Sequence, residues 1–468
     1  MGERTGKTAP VHLDLMETIT ASNFDRLAKA MMQLHNVSYG RASEMLGELR
    51  LQVVCGEEIR ESAALQAALL TAINTGKRAF RGGVSVHLPG NVDLRVPWPG
   101  AENLNAVARD LGAEASSQSN VAISSFLNLG GRQNSNDEIR VLCDGWRAVL
   151  VPSGCSEEMK GTRDFALGGV FAGALGVAYS FLNASGIIHR ELDGPMGISL
   201  WRPDLCWREA DAIGPALQQL PAKLWLLGLG HLGQAYAWTI GLLPFASPQL
   251  TSVYLQDFDV VEHGNWSAGL LSEQHHVDRL KTRVVAEWLE GRRFTTRLVE
   301  RRFNEHMQRD IDEPRVALCG FDNAESRQML EDIGWELIVD ASLGATLDHF
   351  DRLVLRTFPE SSQKARDIWS APTPQPTAID PALFEGEVNG EECGILFQEI
   401  AQKAISSSFT GACASALAIA EILRAIHGGR RCEFVALQLR DLERPEHPYR
   451  DENYQLRIAR NGLVPIAN

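Results

Sequence analysis

The sequence predicts an α/β protein whose doubly wound, mostly parallel, Rossmann-like sheet is present twice, with the N-terminal copy degenerate. Three observations predict it. From about residue 220 onward, short apolar runs alternate with helical periodicity, the pattern of parallel strands joined by crossover helices. A glycine-rich GLGHLG stands between one such run and the next helix. GALGVAYSFL (173–182) is echoed by SALAIAEILR (415–424) at a constant offset of 242, each a small-residue helix followed by a strand. The echo reads as two copies of one α/β domain, the first having lost its nucleotide motif. Ala/Gly-rich helices also resemble one another by chance, so the echo alone leaves both readings open.

The elements follow in order. Residues 1–22 are polar and read as a flexible N-terminus. Residues 24–45 carry helical spacing, 63–73 is a second helix, and 82–88 alternates as a strand. The Ser/Asn/Gly-rich stretch 116–137 reads as loop, and 140–152 as strand, turn and strand. Residues 165–182 form the one membrane-like run; four Gly and four Ala, with no basic cluster or aromatic belt beside them, make it a tightly packed core helix instead. Strands are expected at 197–201, 251–257, 315–320, 335–340, 352–358 and 432–439, and helices at 232–243, 278–290 (N-capped by Asp278) and 411–426. Residues 370–392 hold four prolines, a composition typical of a functional loop. The resulting division is 1–22, a degenerate α/β domain at 23–215, a nucleotide-binding domain at 216–440 with a crossover loop at 359–393, and an extension at 441–468.

The 468 residues carry 45 basic against 59 acidic side chains, a net charge of −14. Such a chain is a poor non-specific partner for phosphate backbones, so no nucleic acid is expected. Eight cysteines, none in C-x-x-C spacing, exclude a disulfide scaffold and the common zinc ribbons. With no apolar leader at the N-terminus, a cytoplasmic protein and no membrane are expected.

The chemistry starts at Gly228, Gly230 and Gly233. Bare backbone there lets amides approach phosphates at a helix N-terminus, a property shared by NAD and ATP sites. Asp257 and Asp259, in D-F-D at the end of the next strand, suit ribose hydroxyls. Asn265 follows eight residues after Asp257, Lys281 sixteen after that, and the strand RVALCG runs into Phe321-Asp322-Asn323 with Arg327.

In this order and spacing, GLGHLG, DFD, NWSAG, Lys281 and FDNAESR resemble the ThiF/MoeB superfamily of adenylating enzymes, which includes the ubiquitin-activating enzymes. The resemblance covers about 220–440. It implies ATP and Mg²⁺ as cofactors. The glycine turn would bind phosphate, Asp257 and Asp259 the ribose side, Lys281 and Asn265 the phosphates, and Asp322 magnesium. The substrate would be the C-terminal carboxylate of a ubiquitin-like or sulfur-carrier-like small protein, with transfer to a conjugating enzyme as a further step. A carboxylate needs no general base, so catalysis would rest on positioning and charge stabilisation. The family works as homodimers or as pseudo-dimers with one dead half; this length implies a pseudo-dimer within one chain, with or without a further homodimer.

One departure stands out: the family's Arg, three residues after the Asn, is Ala268. Either another Arg substitutes, the N-terminal half being one place it could come from, or adenylation is weakened or lost. The family's thioester cysteine has two candidates. Cys413, among alanines, reads as core; Cys393, after the proline-rich loop, reads as the nucleophile, although Glu391 and Glu392 beside it disfavour thiolate. Two other readings remain open here: an NAD(P)-binding oxidoreductase, and a catalytically inactive scaffold of the same fold.

Overall fold

The structure is a computed structural model that describes residues 19–20, 22–115, 122–131, 138–159, 163–189, 192–359, 361–370, 379–380, 383, 399–400, 403–442, 449–450 and 461–467. The first half runs α1 (Arg26–His35), α2 (Tyr39–Glu48), β1 (Arg50–Cys55), α3 (Ala63–Ala79), β2 (Gly83–His87), α4 (Leu104–Asp110), β3 (Glu114–Ala115), β4 (Ser125–Leu129), β5 (Glu138–Cys143), β6 (Arg147–Val151), α5 (Ala166–Ala184) and β7 (Met196–Ser199). A short β8 (Gln219–Pro221) leads into the second half. There follow β9 (Lys223–Leu227), α6 (His231–Leu242), β10 (Ser252–Gln256), α7 (Lys281–Glu290), β11 (Thr295–Val299), β12 (Val316–Cys319), α8 (Ala324–Gln328), β13 (Leu337–Leu343), β14 (Arg352–Phe358), α9 (Ala365–Trp369), α10 (Ser408–Ile426), β15 (Arg431–Cys432) and β16 (Phe434–Gln438).

The strands form two seven-stranded sheets of one design. The first has the order β3-β2-β1-β4-β5-β6-β7 and the second β11-β10-β9-β12-β13-β14-β16. In each, the first five strands are parallel and the last two pairings antiparallel. The expected α/β architecture, present twice, is therefore what the chain adopts. The equivalence reaches single side chains. Gln66, in the first turn of α3, donates to Ile59 O at 3.0 Å and accepts from Arg95 N at 2.7 Å. Gln234, at the same place in α6, donates to Leu229 O at 3.2 Å and accepts from Leu271 N at 2.9 Å.

The helices α3, α5, α6 and α10 pack against one another as the shared core. Of the described helices, α5 and α10 are long and apolar enough to cross a membrane, but 94% and 100% of their apolar windows are buried in the fold. Small residues allow this packing. A Cβ at Gly169 of α5 would stand 1.9 Å from Ala64 O of α3, so only glycine permits that helix crossing. Aromatic side chains also lock the halves together. Trp98 of the first half meets Trp238 at 6.0 Å and Trp288 at 5.4 Å, with the Arg292 guanidinium 4.1 Å from its ring centre. Reciprocally, Trp266 of the second half lies under Arg78 and Arg81 of the first, at 5.7 and 5.4 Å.

Three local expectations change. The helix expected over 24–45 is two helices, because Asn36 adopts a left-handed conformation (φ 52°) and its N–H closes α1 on Met32 O. The stretch 116–137 is not all loop: β4 lies inside it, at the centre of the first sheet, its Leu127 and Leu129 fully buried. Asp278 is no helix cap. It has φ 66°, and α7 begins three residues later at Lys281, after Leu280.

Candidate active site

Parallel sheets present ligands at the carboxyl ends of their strands, where the order reverses. In the second sheet that place lies between β9 and β12, and the glycine turn occupies it. Gly228 follows β9 with φ 77° and donates its N–H to Gln256 O at 2.9 Å. A Cβ at Gly233 would fall 2.0 Å from Gly228 O, so the third glycine is required for α6 to start against its own turn. At Gly230, by contrast, an added Cβ would meet nothing within 4 Å. Packing does not require that glycine; it leaves bare backbone at the N-terminus of α6 facing open space.

Asp257, at the end of β10, is buried and ordered by backbone. Its Oδ2 accepts from Leu229 N at 2.5 Å, and its Oδ1 from Phe258 N at 2.7 Å and Asp259 N at 2.8 Å. The acid thus ties the D-F-D turn to the glycine turn, leaving its remaining lone pairs for a ligand. Asp259 pairs with Lys281, Oδ2 to Nζ 3.1 Å, and Lys281 N donates to Asp259 O at 3.0 Å. The Lys281 side chain is largely covered, that of Asp259 half exposed.

Asn265 sits in a one-turn 3-10 helix, His263–Ser267. Its Oδ1 accepts from Glu262 N at 3.0 Å, while its Nδ2 makes no hydrogen bond among the described residues. Ala268, in place of the family's Arg, is buried. Ser22 O accepts from Gly264 N at 2.6 Å, which brings the start of the first half onto this turn.

Asp322 is exposed and follows β12; the N-cap of α8 is Asn323, whose Oδ1 accepts from Ser326 N at 2.8 Å. Arg327, buried, positions this turn. It donates to Phe321 O at 2.8 Å, Ala341 O at 3.0 Å and Ser342 Oγ at 2.5 Å, and lies 3.6 Å from the buried Asp340 carboxylate. The Phe321 ring lies beside the glycine turn, where it would stand 3.1 Å from a Cβ placed at Gly228.

Three residues that sequence reasoning did not single out lie near these groups. Burial lowers the pKa of Arg26, on α1 of the first half, while the charges of Glu262 and Asp322 oppose that by favouring its protonated form. Arg26 donates to Ala404 O at 3.2 Å. Lys29, one turn along α1, donates to Lys403 O at 2.7 Å, and burial beside Arg26 lowers its pKa to about 8. His231, within the glycine turn, lies against Gly411 of α10, and its Nε2 is buried without a hydrogen-bond partner among the described residues. Burial lowers its pKa to about 4, with Arg26 adding to the effect, so the imidazole is neutral at pH 7. No motif marked Arg26; the one signal was the missing Arg at position 268, which called for a substitute.

Cys393 lies outside the described residues. Cys413 is fully buried in α10, donates to Phe171 O at 3.7 Å, and burial raises its thiol pKa well above the usual value. It is a core residue. Among the described residues no three His, Cys, Asp or Glu side chains cluster as metal ligands.

Comparisons with known proteins follow the same division of the chain. Residues 50–200 match the family model of the BilD N-terminal domain, and residues 220–429 that of the BilD C-terminal domain. The bacterial E1-like protein BilD of Collimonas sp. (strain OK412) is 36% identical over 451 residues, covering 91% of this chain and 94% of that protein. Among solved structures, E. coli MccB with MccA matches with 13% identity and a TM-score of 0.31, over 49% of this chain and 63% of that one. MccB with succinimide matches with 15% identity and a TM-score of 0.30, over the same shares. This chain spans less than two thirds of MccB's length.

Proposed function

This chain belongs to the BilD family, and from that membership and the cleft at the glycine turn we propose that it is an E1-like adenylating enzyme. Its substrate is the C-terminal carboxylate of a ubiquitin-like or sulfur-carrier-like small protein. A carboxylate oxygen attacks the α-phosphorus of ATP; the bond between that phosphorus and the bridging oxygen breaks, and pyrophosphate leaves with the electron pair. The product is an acyl-adenylate.

The observation that carries this reading is the convergence of Arg26, Asp322 and the glycine turn. Supporting it, Gly264 N of the second half donates to Ser22 O, and Glu262 and Asp322 favour the charge of Arg26 from the first half. The Gly230 amide and the amides at the α6 N-terminus suit phosphate, those of Gly228 and Leu229 being held by Gln256 O and Asp257 Oδ2. Asp322, exposed and free of the cap role, suits a hard cation shared with phosphate oxygens, so it would hold Mg²⁺, which supplies charge neutralisation. Lys281 would move from Asp259 to phosphate, and Asn265 Nδ2 would donate to the phosphate under attack. Arg26 would supply the cation missing at Ala268.

The first half, 23–215, reads as the nucleotide-free partner. Where the second half has its glycine turn, the first has Gly56 followed by Glu57 and Glu58, whose charges would repel phosphate. Past the ends of the equivalent strands β1 and β2, Arg60 donates to Asn91 O at 2.6 Å and to Pro89 O. Cys393, in the crossover loop 359–393, is the proposed thioester nucleophile, with a conjugating enzyme as acceptor.

ATP–pyrophosphate exchange by the full chain, with a candidate ubiquitin-like partner and Mg²⁺, tests the reading. Arg26→Ala, Lys281→Ala and Asp322→Ala should each lower exchange by about 10² or more with the fold intact. Unchanged turnover in any of them removes that residue from the site. ATP binding with no exchange in the wild type would favour the scaffold instead. Cys393→Ala should spare exchange and abolish a thiol-sensitive adduct.

A further inference from the structure

The turn that carries Asp322 leads straight into α8, and α8 is only five residues long, as is α9. A helix that short does not hold in isolation, so each depends on what it packs against. These two pack against one another. Ala365 N donates to Glu331 Oε2 at 2.7 Å, Gln328 Nε2 donates to Trp369 O at 2.9 Å, and Arg366 pairs with Asp332 at 3.0 Å. Ala365 is fully buried and joins Leu330, Ile333 and Phe358 in one apolar cluster.

Seated there, Trp369 lays its ring 4.3 Å from the Arg327 guanidinium. Arg327 donates to Phe321 O through Nε at 2.8 Å and through Nη2, and Nη2 also reaches Ala341 O at 3.0 Å. Phe321 is the residue before Asp322. The carboxylate near this guanidinium is a weak lock. Asp340 stands 3.6 Å from Arg327 Nε, beyond hydrogen-bond length, and burial raises its pKa although Arg327 favours its charge. The guanidinium is therefore set by two carbonyls and by an aromatic ring, and the ring comes from a different segment of the chain.

Resting on the reading of Asp322 as the magnesium ligand, we propose that Trp369 is a positioning residue for that turn. It fixes Arg327, Arg327 fixes Phe321 O, and the Asp322 carboxylate is presented to the cation while α9 keeps its seat on α8. The metal turn and the first helix of the segment 359–393 then form one unit, although more than forty residues separate Asp322 from Trp369. A cation held against a half-buried ring is strong enough to change the cation affinity of the turn by about five- to tenfold.

Calorimetric titration of the full chain with ATP, once with Mg²⁺ and once in EDTA, tests this through binding alone. Mg²⁺ should tighten ATP binding by the wild type, and Asp322→Ala should remove that gain. Trp369→Leu, which fills the seat without an aromatic face, should cut the gain about five- to tenfold and leave ATP affinity in EDTA unchanged. Trp369→Phe, which keeps a ring, should retain most of the gain. Gln328→Met frees Trp369 O and leaves the ring and Arg327 in place; it should cut the gain about twofold or more, and it decides the matter if Trp369→Leu does not fold. A gain left intact in Trp369→Leu, or in Gln328→Met where that variant decides, overturns the inference. An equal loss of ATP affinity with and without Mg²⁺ also overturns it, since packing alone would do that. Should Mg²⁺ give the wild type no gain, or Asp322→Ala keep it, the metal reading fails and this inference with it.

Discussion

Replacing Arg78 by Met should destabilise the protein by about 4 kcal/mol. The side chain is fully buried where the halves meet. Its Nε donates to Gly269 O at 3.1 Å; Nη1 donates to Asn74 O at 2.9 Å and Asn74 Oδ1 at 2.7 Å; Nη2 donates to Leu270 O at 3.2 Å, Ser272 O at 3.1 Å and Glu273 Oε1 at 3.2 Å. Methionine fills much of the volume and none of these bonds. Leu270 O keeps Asn74 Nδ2, Gly269 O keeps Ser272 N, and Glu273 keeps Lys77 at 2.8 Å. Ser272 O and the buried Asn74 Oδ1 lose their donors, about 1 kcal/mol each at the low end of the usual range, and the charged bond to Glu273 adds about 1.5–3 kcal/mol. The total sits within the roughly 3–5 kcal/mol typical of breaking a buried pair. Unfolding entropy of about 2 cal/mol/K per residue gives about 1 kcal/mol/K for the whole chain, so Tm should fall by about 4 °C if both halves melt together. A fall of about twice that would mean that they melt separately. Calorimetry on the variant decides it, and Arg78→Lys, which keeps the charge without the fork, should recover part of the loss. A shift below about 1 °C would refute the idea that this arginine clamps residues 269–273.

Two further outcomes follow from the glycine turn. His231 has a folded pKa of about 4, below its unfolded value of 6.5. Its contribution to stability is therefore complete above about pH 6.5 and is lost as pH falls toward 4, by about 2 kcal/mol between about pH 7.5 and about pH 5. Urea midpoints of the wild type and His231→Gln at both pH values check this; equal losses in the two proteins would show that the imidazole is not the cause. Gly233→Ala and Gly230→Ala should behave oppositely: the first forces a Cβ to 2.0 Å from Gly228 O, while the second meets nothing within 4 Å. Gly233→Ala should lower Tm and ATP affinity together, and Gly230→Ala should lower ATP affinity at unchanged Tm. A lowered Tm in Gly230→Ala would place that glycine in packing instead of in the ligand's path.

What was legible in the sequence follows from how locally each feature is encoded. The strand–turn–helix of the second half was readable because apolar runs and glycines define it within a few residues. The duplication was readable only faintly, through α5 and α10, because buried helices that must approach closely converge on small residues. The strand β4 was not readable, since SFLNL is too short to stand out between Ser- and Asn-rich flanks. Its central place comes from pairing with β1 and β5, which no local pattern records. Asp278 failed as a helix cap because an acid before a helical pattern fits a cap and a left-handed turn equally well. The expectation that another Arg stands in for Ala268 named no residue. Arg26 lies 242 positions from Ala268, and only the folded chain brings α1 to Glu262 and Asp322.

That distance bears on why a half without a glycine turn is kept. If the first half served stability alone, its contacts with the second would be apolar, as they are between α5 and α10. Instead its cations sit around the proposed nucleotide cleft. Glu262 and Asp322 favour the charge of Arg26, Lys29 and Arg26 hold the carbonyls of Lys403 and Ala404, and Arg78 holds the carbonyls that follow Ala268. Lys403 then reaches back to Glu262, Nζ to Oε2 3.9 Å. Buried cations are costly unless something fixed requires them, because each must be desolvated and paired. On the proposed reading they would supply the positive charge that Ala268 does not, which gives the first half a role at the site beyond stability.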